Sequence, residues 1–192
     1  MRLQDTPPSS VTVNGKRYRM RFDFRRVLDM MAVLEQDDLL PDARTYRALK
    51  CVMRRPRGDQ GAILEAVKAL LFPAARETEK HERITDFEQD ADYIRAAFLQ
   101  CYHINLYRDK LHWMEFSALL SALPEGPRYS EILGIRARPM PTATKYNAEE
   151  RKWLAKAKAA YALKKTDQEI QKDLANGMRL MAESLLELAK KG

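Results

Sequence analysis

Only two cysteines, three histidines and seven glycines occur in the 192 residues, and each scarcity removes a class of function. Cys51 and Cys101 each sit inside a helical apolar pattern with no paired framework around them, so both read as buried free thiols rather than a structural disulfide. His81, His103 and His112 form no H-x-x-x-H pair, and Cys101-Tyr102-His103 with His112 lacks the spacing of a metal centre. The glycines are scattered: Gly58 and Gly61 open no phosphate loop, and no G-x-S-x-G elbow exists. The chain therefore reads as a non-enzyme with no cofactor and no metal. No apolar run approaches the roughly 18 residues of a membrane span, and Met1 to Pro8 lacks the apolar centre of a signal peptide. A cytoplasmic protein without a membrane partner is expected.

Charge, by contrast, is abundant and uneven. Residues 1–83 carry 17 basic and 12 acidic side chains, residues 84–135 carry 4 and 8, and residues 136–192 carry 13 and 7. Basic ends around an acidic middle favour self-association or an acidic partner as readily as nucleic acid, and a solvated face accounts for much of such an excess. Arg17, Arg19 and Arg21 alternate along one stretch with Arg25-Arg26 beyond, and Arg54, Arg55 and Arg57 form a second cluster. Neither is accompanied by exposed aromatics in a stacking pattern and no helix-turn-helix fits, which argues against nucleic acid.

The hydropathy pattern predicts a mainly α protein with a multi-helix domain, a small N-terminal β-hairpin and a C-terminal helical arm. Val11-Thr12-Val13 and Lys16 to Met20 flank Asn14-Gly15, the favoured two-residue hairpin turn. In the second strand Tyr18, Met20 and Phe22 face one way and the arginines the other. Asp23 is placed to cap a helix carrying Val27, Leu28, Met31 and Leu34. Pro41 opens a second helix with Tyr46, Leu49 and Val52-Met53, and Gln60 to Phe72 makes a third with Ile63, Val67, Leu70 and Leu71. Pro73 to Arg83 reads as an exposed polar linker.

Asp86 is the expected N-cap of the next helix, closed by Gln89 as a capping box, with Glu88, Asp90 and Asp92 compensating the helix dipole. That helix carries Phe87, Ala91, Ile94, Phe98 and Cys101. Leu111 to Leu123 follows as a strongly apolar helix with Trp113 and Phe116 in the core, then a short helix Tyr129 to Ile135. Arg136 to Lys145 reads as a linker, so the expected division is a core domain over 1–136 and a linker with helical arm over 137–192. Asn147-Ala148-Glu149-Glu150 caps a helix with Trp153, Leu154, Ala157, Tyr161 and Leu163. Thr166-Asp167-Gln168-Glu169 caps a last one with Ile170, Leu174, Met178, Met181, Leu185 and Leu188 on one stripe.

The ordered set Asp86-Phe87-Glu88-Gln89-Asp90-Ala91-Asp92, Phe98-Leu99-Gln100, Leu111-His112-Trp113, Phe116 with Ala118-Leu119-Leu120, and Ile135-Arg136 resembles a family of tailed-phage proteins named for phage gene product fifteen. Glu150-Arg151-Lys152 and Tyr161-Ala162-Leu163 continue the likeness, which spans Asp23 to Leu163. Proteins of this kind are encoded in the tail modules of siphophages and prophages of Gram-positive bacteria, near the tape-measure gene. The resemblance implies a non-catalytic tail assembly chaperone, acting in the host bacterial cytoplasm. It would coat the tape-measure protein as a homo-oligomer until tail-tube protein replaces it. The alternative is a structural tail or head-tail component of the virion. Hairpin edges and amphipathic terminal helices are the candidate partner surfaces: Tyr18, Met20, Trp153, Tyr161, Ile170, Leu174, Met178, Met181 and Leu185.

Overall fold

Asn14 and Gly15 both take positive φ, 50° and 72°, which is what a two-residue turn must do to match the twist of the strands it joins. In this computed structural model, which describes residues 4–73, 83–164 and 178–179, the turn joins β1 (Ser10–Val13) to β2 (Lys16–Arg19). The strands are antiparallel, with Val13 opposite Lys16 and Ser10 opposite Arg19. Residues 74–82 of the expected polar linker lie outside the described residues, as does the expected closing helix apart from the helical Met178 and Arg179. The chain forms two compact units, Met1–Gly134 and Ile135–Gly192.

The first unit adds α1 (Phe24–Leu34), α2 (Pro41–Val52), α3 (Gln60–Leu71), α4 (Ala91–Tyr102), α5 (Trp113–Ser121) and the start of α6 (Arg128–Ala137) to the hairpin. A mainly α fold with one small hairpin is what the periodicity predicts. Asp23 caps α1 as expected, its side chain accepting from the Arg25 amide. The fully buried residues of α1 are Phe24, Val27 and Met30; of the expected stripe only Val27 is among them, while Leu28, Met31 and Leu34 are half-buried against the core. Pro41 stands at the start of α2, but Tyr46 is 43% exposed and Ala48 takes its place beside Leu49 and Val52. Ile63, Leu64, Val67 and Leu71 bury one side of α3, which packs against β1.

One short backbone bridge draws the N-terminal segment onto α5. The Trp113 amide donates to the Phe22 carbonyl at 2.7 Å, and the Phe24 amide to the Leu111 carbonyl at 3.0 Å, pairing Asp23 with His112. His112 caps α5: its Nδ1 accepts from the Met114 amide at 3.2 Å, while the Glu115 carboxylate accepts from the His112 amide at 3.0 Å. The ring lies edge-on to Phe22 and its Nε2 sits 3.0 Å from the Pro8 carbonyl. Both contacts together assign the proton to Nε2, so the imidazole accepts on one side and donates on the other.

Below this bridge the core is aromatic. Phe116, 1% exposed, meets Phe24, Phe98, Phe87 and Trp113 at centroid distances of 4.7, 5.2, 6.2 and 5.8 Å. The Trp113 indole donates to the Leu71 carbonyl at 3.2 Å, satisfying an acceptor that the last turn of α3 leaves open.

The second unit is described to Lys164 and at 178–179. Arg136 and Ala137 are helical, so the expected linker loses its first two residues to α6. The rest is tied back: Asn147 accepts from the Thr144 amide and donates to the Thr142 carbonyl, each at 2.9 Å, and Arg151 donates to Pro141. Asn147 therefore precedes α7 (Ala148–Ala160) without capping it through its side chain, contrary to expectation. Arg138 pairs with Glu150 at 2.6 Å, and Lys158 donates to the Arg136 carbonyl at 2.7 Å.

Phe116→Ala should destabilise the first unit by about 3–5 kcal/mol, since a ring ringed by others leaves a void that cannot collapse. Leu40→Ala, at a site 78% exposed, should stay within about 0.5 kcal/mol. Urea unfolding followed by tryptophan fluorescence measures both.

Candidate partner-binding surfaces

On the hairpin, alternation places Met20 and Phe22 inward at 3% exposure each and leaves Arg17, Arg19 and Arg21 exposed. Met20 is therefore a core side chain. A partner surface needs accessible apolar atoms, and Met20 has none to offer. Tyr18 is half-buried, with its hydroxyl against Gly58, where a Cβ would stand 2.7 Å from the oxygen. Gly58 also takes φ +91°, so both space and backbone keep that position glycine.

Arg25 and Arg26, read in sequence with the basic strand, serve the fold instead. Arg25 lies over the Phe24 ring at 4.6 Å and donates to the Leu106 and Asp109 carbonyls at 2.6 and 2.9 Å. Arg26 donates to the Cys51 carbonyl at 3.1 Å.

Of the arm residues, Trp153 is 56% exposed while its neighbour Leu154 is fully buried. Tyr161 is half-buried and its carbonyl accepts from Arg136 Nε at 2.7 Å. Met178 is 66% exposed. Ile170, Leu174, Met181 and Leu185 lie outside the described residues. Tyr146 at 86% and Met140 at 42% exposure join Trp153 as accessible apolar side chains of the second unit. The linker reading of the sequence passed over Met140, and Tyr146 falls beyond its end.

Helical periodicity also hides a surface on the first unit. Met31 and Leu34 of α1, with Ala69 of α3 and Phe72 beyond its end, line an open groove of about 490 Å³. Glu65 and Lys68, paired at 2.9 Å, also line it. The i, i+3 spacing of Met31 and Leu34 reads as core; in the structure both are half-buried, packed against the core on one side and lining the groove on the other.

The acidic block is built differently from its expected capping box. Asp86 Oδ1 does accept from the Glu88 and Gln89 amides, at 2.9 and 2.8 Å, but it closes a single turn ahead of the helix. Asp90, fully buried, reaches back with Oδ2 to the Asp86 amide at 3.0 Å, and α4 begins only at Ala91. Asp90 is therefore a structural carboxylate rather than an exposed dipole charge. Asp92 remains in the first turn of α4, paired with Arg95 at 2.8 Å. Among the described residues no three His, Cys, Asp or Glu side chains gather as a metal site. Both cysteines are free, and half-buried rather than fully buried. Burial, helped by the nearby Asp29 carboxylate and opposed by Arg26, pushes the Cys51 thiol above its ordinary 9.0.

The family model described as Bacteriophage Gp15 protein matches residues 3–163. The chain belongs to that family. Gp15 membership makes it a bacteriophage protein and covers the hairpin, the described helices up to α7 and the residues just after it. Met178 lies past the Gp15 match. No curated protein and no solved structure matches the chain. Among the described residues no helix is long and apolar enough to cross a membrane.

Asp90→Ala should cost about 1–3 kcal/mol by stranding the Asp86 amide, whereas Asp92→Ala should change stability by less than about 0.5 kcal/mol; thermal melts of the two variants decide. In a Cys101→Ser background, alkylation of Cys51 should be slow near neutral pH, with a rate profile whose midpoint lies above 9.0. A midpoint at or below that value would mean the thiol is not embedded as described.

Proposed function

We propose that this Gp15-family protein is a phage tail assembly chaperone, which binds and solubilises the tape-measure protein during tail morphogenesis and catalyses nothing. The observation that carries the reading is the open apolar groove of Met31, Leu34, Ala69 and Phe72 on a chain of this phage family. A long client helix held in solution needs contacts that are apolar, shallow and reversible. A groove between two helices, flanked by one ion pair, suits an amphipathic helix laid into it. Trp153 and Met178 in the second unit offer further apolar contacts. Several weak sites, repeated by self-association along the client, would hold it by avidity and still release it to tail-tube subunits. The place of action in this reading is the host cytoplasm.

Co-expression with the tape-measure protein, followed by pull-down and sizing, should give a soluble complex. Leu34→Glu should reduce recovery several-fold while the variant keeps its helical spectrum, and deletion of residues 137–192 should abolish assembly or client solubilisation. A tape-measure protein that is soluble and helical yet fails to bind would instead favour a structural tail component. In that case the protein would be found by mass spectrometry in purified particles, where a chaperone is absent.

A further inference from the structure

The two edges of the hairpin are not equivalent. In β2, Met20 donates to the Ser9 carbonyl across the hairpin, so Lys16, Tyr18 and Met20 turn their backbone groups toward β1. Arg17, Arg19 and Arg21 turn theirs outward. At Arg21 that outer edge is occupied, its amide donating to the Val52 carbonyl at 2.7 Å. At Arg17 and Arg19 no backbone partner occupies it among the described residues. The same two residues hold exposed guanidinium groups on the solvent face of the strand. Together with Ser9 and Ser10 they line a depression of about 370 Å³. The Ser10 hydroxyl accepts from Arg17 Nε at 2.8 Å, which orients that guanidinium and leaves its terminal amino groups for a ligand.

We propose that the outer edge of β2 at Arg17 and Arg19 binds an acidic polypeptide segment in extended conformation, added to the hairpin as a third strand. Two arginines two residues apart on one face match carboxylates at alternate positions of an incoming strand, because the side-chain period of a strand is two. The edge supplies an amide and a carbonyl at each of the same residues, so backbone pairing and charge pairing fall in register. Guanidinium–carboxylate contacts add directionality as well as energy. Nucleic acid fits less well: the neighbouring aromatic, Tyr18, lies on the opposite face with its hydroxyl against Gly58, so nothing beside the arginines stacks a base. The site lies wholly within the first unit, and it stands or falls independently of the helix groove.

The probe is a short fluorescent peptide of alternating Glu and Val, titrated against the full-length protein at low salt and read by polarisation. The double variant Arg17→Ala/Arg19→Ala should keep its melting temperature, because both side chains are exposed, and lose about tenfold or more in affinity. A peptide N-methylated at alternate positions, with the same charge but no pairing edge, should lose affinity to a similar degree. Amide exchange at Arg17 and Arg19 should slow in the complex. The proposal is overturned if the unmodified peptide does not bind or if the N-methylated peptide binds as well. It is equally overturned if those amides exchange at unchanged rates, or if duplex DNA of equal charge binds more tightly.

Discussion

The bridge between Asp23 and His112 is the contact on which the first unit depends, because both of its residues are helix caps. Asp23 starts α1 and His112 starts α5, and the two backbone bonds on either side, Phe22–Trp113 and Phe24–Leu111, fix the two starts against each other. A cap ordinarily satisfies the orphan amides of one helix. Here one bridge sets the entry of two, and it places the aromatic residues that follow each cap, Phe24 on one side and Trp113 with Phe116 on the other, into the same space. The Phe24–Phe116 stack therefore follows from where the helices begin. Met31 and Leu34, one turn further along the same side of α1, are half-buried and reach the groove with Ala69 and Phe72.

Polar groups in this unit act mostly at joints. Arg25 holds the turn after α4 by two carbonyls, the Trp113 indole closes the end of α3, and Asp90 turns back to the amide of Asp86. The Leu71 and Leu106 carbonyls and the Asp86 amide are at least partly buried, and leaving such groups unbonded costs more than a made bond gains. Arg17, Arg19 and Arg21 instead point outward, with Arg17 Nε bonded to the Ser10 hydroxyl.

Much of this was legible in the sequence where local chemistry is decisive. Asn14-Gly15 and Pro41 act through their own backbone preferences and Asp23 through its side chain on the nearby Arg25 amide, so the hairpin and the starts of α1 and α2 were readable from single residues. The mainly α class followed from periodicity, and the phage family from the ordered acidic and aromatic pieces. What escaped was set by tertiary contact. Asp86 looked like the cap of α4, but burial of Asp90 and packing of Phe87 on Trp113 and Phe116 place a separate turn before the helix. His112 ranks low among capping residues by type, and only Glu115 three positions on hinted at its role. Asn147 looked like a cap and instead holds the loop before it. Met20 was grouped with the partner residues on pattern alone, and pattern does not tell which apolar residues of a stripe the rest of the chain will cover.

The double cap also constrains the order in which the chain matures as it is synthesised. The hairpin and α1 to α4 leave the ribosome before Leu111, His112 and Trp113 exist to receive them. Until then Phe22 and Phe24 lack their backbone partners and the Phe24 ring lacks its stack. The early half can form local helices, but the closure that joins its N-terminal segment to α5 is a non-local pairing, which forms late because the loop between must be closed first. The hairpin can already rest on α3 and Val52, but the closure of Phe22 and Phe24 onto α5 waits for the later part of the first unit to be made.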